Sequence, residues 1–207
     1  MRSMAEDDAK RVLEIIREFA NIGAGNAATA LASLLDMELV NEVTSCRLLP
    51  LSEIAEWLGG EEQVVAGTYT QLCGDLRSGV LVVFPPESAK TLVRHFSKQD
   101  EVDLSDLSRI QTSAICEVGN ICLCWYLVAV SKMIDTDLIP APPGAAVDLL
   151  GAVLDIPLAA LGATVDHVIA VHTLFRGVEQ VFEGYFLMLP ENKMLETIME
   201  KMGDSAG

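Results

Sequence analysis

Apolar residues recur at helical spacing through the first sixth of the chain, at Val12, Ile15, Ile16, Phe19, Ile22, Ala30, Leu31 and Leu34. This period predicts a long helix over residues 8–35, or two helices bent near Gly23 and Gly25. Glu6, Asp7 and Asp8 suit its N-terminus. The small residues of 23–30 let another backbone approach closely. The pattern then turns to a strand over 37–49. A short helix over 52–58 follows, with Ser52 as its cap and Gly59-Gly60 as its stop. Residues 63–73 and 78–84 read as an antiparallel strand pair around Gly74-Asp75, and 87–96 as an amphipathic helix after Pro85-Pro86. The polar run SKQDEVD at 97–103 is the best linker in the chain.

After that run the order of elements repeats. Ser105 is read as the cap of a helix reaching about Met133, and a short strand at 137–139 ends at Pro140, Pro142 and Pro143. An apolar stretch at 146–161 reads as helical early on, with Pro157 interrupting it. Strands at 167–175 and 182–189 follow, then a last helix over 191–202, stopped by Gly203. Two copies of about 100 residues (approximately 8–97 and 105–203) predict one α+β domain over 1–207. Its expected form is pseudo-two-fold, built by internal duplication, with an antiparallel sheet and two long helices.

Polar residues interrupt both long helices at matched places. Ser113, Glu117 and Asn120 fall at i, i+4 and i+7, which puts them on one helical face. Glu18 and Asn21 repeat the Glu/Asn pair, each 99 positions earlier (117 − 18 and 120 − 21). A carboxylate and a carboxamide on one rigid face can orient a water or a partner's lysine, although a solvated face shows the same residue types. The glycine-rich Gly23-Ala24-Gly25-Asn26-Ala27-Ala28 fits a dinucleotide fingerprint in letters only, because a helix-patterned segment precedes it where a strand is required.

Composition narrows the classes. Hydrophobic residues make up 51% of the 207, which excludes a disordered chain. The longest uninterrupted apolar run, 121–130, is half the ~20 residues of a membrane span and reads as a core helix. The acidic N-terminus lacks the apolar core of a secretory signal, so a cytoplasmic protein is expected. Five cysteines without paired C-x-x-C spacing read as buried free thiols; Cys122 and Cys124 would point about 200° apart on a helix. No metal-ligand spacing is present among the histidines His95, His167 and His172. A formal charge of −16 argues against nucleic acid as a partner. The same acidic excess suits a high-salt cytoplasm, which predicts activity and Tm rising with molar salt.

The stretch EFANIGAGNAATAL and the spacing S-x-x-x-E-x-x-N-x22-P resemble the CheC family of chemotaxis phosphatases, relatives of CheX and the flagellar-switch phosphatases. The family pattern has Asp or Ser, then Glu, Asn and Pro at fixed spacing. Ser113, Glu117, Asn120 and Pro143 meet all of it. In the first half Glu18 and Asn21 match, Glu14 stands where Asp or Ser is expected, and Thr44 takes the place of the proline.

The resemblance implies hydrolysis of the aspartyl-phosphate of a CheY-type response regulator. Asn21 and Asn120 would position water, and Glu18 and Glu117 would dock the regulator through its lysine. Glu14, Ser113 and Pro143 would support them: Ser113 orients or packs, Pro143 fixes the turn, and Thr44 only loosens it. The chain would need no cofactor of its own, since the regulator would carry Mg2+. A monomer is expected, without membrane contact. The alternative within the resemblance is a binding module or scaffold, or a regulator of the deamidase CheD; a water-orienting Asn present twice favours catalysis.

Overall fold

The computed structural model describes residues 6–73, 76–98, 101–161, 165–178 and 180–204. The Gly74-Asp75 turn and part of the 97–103 run lie outside the described residues. The first half contains α1 (Glu6–Leu34), β1 (Val40–Pro50), α2 (Ile54–Trp57), β2 (Val64–Cys73), β3 (Ser78–Phe84) and α3 (Pro86–Ser97). The second contains α4 (Arg109–Ile134), β4 (Ile139–Pro140), β5 (Gly144–Leu149), α5 (Leu150–Leu161), β6 (His167–Arg176), β7 (Val181–Pro190) and α6 (Asn192–Asp204). All pairings are antiparallel, in the order β1-β6-β7-β3-β2, with β4 and β5 both on the far edge of β2. Exchanging β1 with β5, β6 with β2 and β7 with β3 turns this order into its own reverse.

Helices cover both faces, so the central strands carry continuous apolar runs. In β3 every residue is buried. Val80, Val82 and Phe84 point into a core shared with α1, α3, α4 and α6, while Leu81 and Val83 point into a second core under α2 and α5. The first core seats the two long helices. α1 runs unbroken through Gly23 and Gly25, burying Ile16, Phe19, Ala20, Ala24, Ala27 and Leu31. The small-residue stripe serves the crossing with α4: a Cβ at Gly23 would lie 2.9 Å from the Tyr126 ring and 3.1 Å from its Cα. Tyr126 in turn stacks on Phe186 and hydrogen-bonds Thr173 at 2.6 Å.

α4 is long and apolar enough to cross a membrane by length and composition, and half of its most apolar window is buried inside the protein. It rests on the sheet and packs against α1, α3 and α6, as a core helix does.

Local signals placed some ends differently from the sequence expectations. Ser105 does not cap α4; its N–H and hydroxyl both bond the Asp103 carboxylate, at 2.9 and 2.7 Å. The cap is Ser108, in a reciprocal box with Gln111. Ser52 makes no cap bond either, lying inside a 3-10 turn, Leu51–Glu53, that leads into α2. Gly59 and Gly60, with φ of 105° and 106°, do end α2. The stretch at 146–161 divides: 144–149 pairs with β2, satisfying that strand's open backbone groups, and the helix starts only at Leu150. Pro157 stays inside α5, buried against the sheet where a Cβ at Gly79 would meet it at 3.2 Å. Gly203 likewise lies within α6.

Candidate functional site

α1 and α4 each bury one face and leave a polar stripe outward. On α1 the stripe carries Glu14, Glu18 and Asn21, all exposed, with Ile22 beside them at 51% exposure. On α4 it carries Ser113 and Glu117, exposed, and Asn120, half-buried. The helical spacing read from the sequence thus holds on both helices. Each stripe belongs to a helix fixed by the core on its other side, which gives the polar groups a rigid base.

The height of α4 over the sheet is set beside Asn120. A Cβ at Gly119 would come within 2.1 Å of the Thr68 Oγ1 and 2.5 Å of its Cβ, so only glycine lets α4 lie this close to β2. Thr68 is fully buried and its hydroxyl has no hydrogen-bond partner. Sequence reasoning passed over Gly119; its position next to a buried helix face was the available signal.

The supporting residues separate into two cases. Ser113 and Pro143, thirty positions apart, line one open cleft of about 390 Å3 together with Arg109, Thr112 and Cys116. The cleft lining includes no histidine or lysine. Pro143 stands in the break between β4 and β5. Going from Pro140 to Gly144 takes four steps against three on the partner strand, from Leu72 to Tyr69. One extra residue is therefore accommodated there.

The first half carries the same irregularity in another form. Val43 pairs with Thr173 and Ser45 with His172, so Thr44 is the extra residue of a bulge in an otherwise continuous β1. Its role is not the loosening expected of it. Its Oγ1 lies 2.7 Å from His172 Nδ1, and His172 Nε2 lies 2.6 Å from Glu183 Oε2. Tyr185 stacks on the His172 ring at 4.3 Å. Thr44 is thereby tied into β6 and β7 across the sheet.

The thiols are less buried than expected. Only Cys122 is fully buried, with its pKa pushed up to about 12 by desolvation, whereas Cys73 is exposed and Cys46, Cys116 and Cys124 are half-buried. Cys116 and Cys124 flank Asn120 by one turn on either side. Burial, and after it the charge of Glu117, raises the pKa of both. The Cys124 Sγ donates to Asn120 Oδ1 at 3.4 Å. Sequence reasoning missed this contact, although its i, i+4 spacing was in view.

The profile of the CheC-like family matches residues 12–39, which span the Glu14–Asn21 stripe. The chain is 30% identical over 197 residues to the CheY-P phosphatase CheC of Bacillus subtilis (strain 168), covering 93% of this chain and 94% of that protein. Its fold is similar to that of Thermotoga maritima FliY, with a TM-score of 0.71 at 14% identity, covering 98% and 99% of the two chains. It is also similar to the chemotaxis protein CheX from Desulfovibrio desulfuricans, with a TM-score of 0.52 at 14% identity, over 84% and 99%.

Proposed function

The chain belongs to the CheC-like family, and from that premise we propose that it hydrolyses the aspartyl-phosphate of a CheY-type response regulator in the cytoplasm. Hydrolysis of an acyl phosphate demands little covalent work from the protein and much positioning: a water must lie in line with phosphorus. In this reading Asn120 and Asn21 hold that water, since a carboxamide both donates and accepts without a tuned pKa. Glu117 and Glu18, one turn earlier on the same faces, anchor the regulator by pairing with a lysine on it. The regulator brings the phosphoryl group and its Mg2+. The observation that carries the reading is the pair of outward Glu/Asn stripes on two helices held rigid by a common core.

Two such stripes also support an internal duplication. The helix–strand–helix–strand–strand–helix order occurs twice, the sheet order is its own mirror, and each half has one extra residue at the matched strand position.

The test is the decay of a phosphorylated CheY-type regulator with and without the protein. Acceleration by the wild type is expected, with about 100-fold of it lost in the Asn21→Ala/Asn120→Ala double variant. Regulator binding should survive in that variant and fall in Glu18→Ala/Glu117→Ala. A wild type that leaves the decay rate unchanged, or a double variant as fast as wild type, refutes the proposal.

A further inference from the structure

We propose that Cys124 is a positioning residue for Asn120, its thiol holding the carboxamide in one orientation by a hydrogen bond to Oδ1; this rests on the phosphatase reading above. The Sγ lies 3.4 Å from Oδ1. Helical side chains lean toward the N-terminus, so a side chain at i+4 falls back over the one at i. An amide on a helix surface otherwise turns freely about its last torsion, which is broad and two-fold. Orienting a water requires that the donor and acceptor directions stay fixed, and a single bond to Oδ1 from the next helical turn leaves the two N–H donors and the second lone pair of Oδ1 to engage it.

Two further observations agree. Cys124 is half-buried, and its raised pKa keeps it an S–H donor through the neutral range, where a thiolate would repel the carbonyl oxygen. The first half lacks the device: the residue four after Asn21 is Gly25, with no side chain to offer, and Asn21 itself is exposed. The two sites therefore differ in preorganisation while sharing the Glu/Asn pair.

The experiment starts from an Asn21→Ala parent, so that only the α4 site reports on regulator decay. Cys124→Ala should lower kcat about 3- to 10-fold with KM within about 2-fold, and Cys124→Ser should restore kcat to within about 2-fold. Independently of activity, the infrared S–H stretch isolated by subtracting the Cys124→Ser spectrum should sit at lower frequency than a free thiol. It should return to the free position in Asn120→Ala. Conversely, Gly25→Cys in an Asn120→Ala parent should raise kcat about 2- to 5-fold. The position is open, with Asn41 Oδ1, 4.0 Å away, the nearest atom to an added Cβ.

Activity of Cys124→Ala equal to its parent, or a band unmoved by Asn120→Ala, overturns the proposal. No gain from Gly25→Cys overturns its account of the difference between the sites. A parent that does not speed decay defeats the phosphatase reading and with it the catalytic consequence, while the infrared band still decides whether the contact exists.

Discussion

The α1 half and the α4 half solve the same problem with different chemistry. Each must fit one extra residue into the strand after its long helix. At the break between β4 and β5 the prolines Pro140, Pro142 and Pro143 do it by interrupting the ladder, and Pro143 then shares a cleft with Ser113. In β1 the ladder stays whole and a bulge absorbs the residue, with the Thr44 hydroxyl fastened through His172 to Glu183. Proline sets φ through its ring, whereas threonine depends on a partner across the sheet. The helices differ in the same way. α4 lies against Thr68 through Gly119 and holds Asn120 half-buried, while α1 presents Asn21 in the open. A shared Glu/Asn pair therefore does not imply equal sites, because the neighbours decide how firmly each is held.

The contrast can be broken most sharply by single asparagine variants. In the regulator-decay assay Asn120→Ala should lower the rate about 10-fold and Asn21→Ala by only about a tenth, because the better held amide carries more of the positioning. Equal losses would remove the ranking. Next in size is the seat of α4: Gly119→Ala should cost about 1–3 kcal/mol in denaturant unfolding through the clash with Thr68. Ala20→Gly, at the matched place on α1, should cost about 1 kcal/mol, the ordinary entropy of a helical glycine.

Titration separates the halves as well, since Cys122 of α4 corresponds to Gly23 of α1. Its folded pKa of about 12 stands above the ordinary 9.0. The folded state therefore keeps a proton that the unfolded chain releases, so this stability is complete below pH 9 and is lost as pH rises from there toward 12. Between pH 7 and 10 the wild type should lose about 1.4 kcal/mol that a Cys122→Ala variant does not. A parallel pH dependence of the two proteins would count against the buried thiol as the source. The smallest effect concerns the strand irregularities: Thr44→Val should cost about 1 kcal/mol through the lost bond to His172. Pro143→Ala should cost only about 0.5 kcal/mol, mostly through the unfolded chain. Matching losses for the two would mean that the bulge does not depend on Thr44.

Much of this was legible in one dimension. The long helices announced themselves through the spacing of Ile16, Phe19 and Leu31 and through the apolar run 121–130, and the Glu/Asn pairs could be placed on their faces by counting. The short segment 144–149 could not be read as a strand, because GAAVDL has little intrinsic strand preference and extends only where β2 offers an unpaired edge. Ser105 is read from the sequence as the cap, although of the two only Ser108 is followed three residues later by a Gln; in the structure Asp103 claims Ser105 and Ser108 forms the box with Gln111. Likewise, Pro157 looked like a breaker, yet the buried packing of α5 over Gly79 holds the helix through it.

What the amino-acid order determined by itself was local and periodic: which segments are helices, which face of each is polar, and that Glu18/Asn21 and Glu117/Asn120 stand 99 residues apart. Those features follow from 3.6 residues per turn and from burial of apolar faces, and they need no knowledge of neighbours. Only the tertiary structure decided how the two sites differ. The closeness of Gly119 to Thr68, the tie from Thr44 to His172 and the meeting of Ser113 with Pro143 join residues 30 to 128 positions apart. Such contacts depend on the register of the sheet and the height of a helix above it, both of which are properties of the whole core.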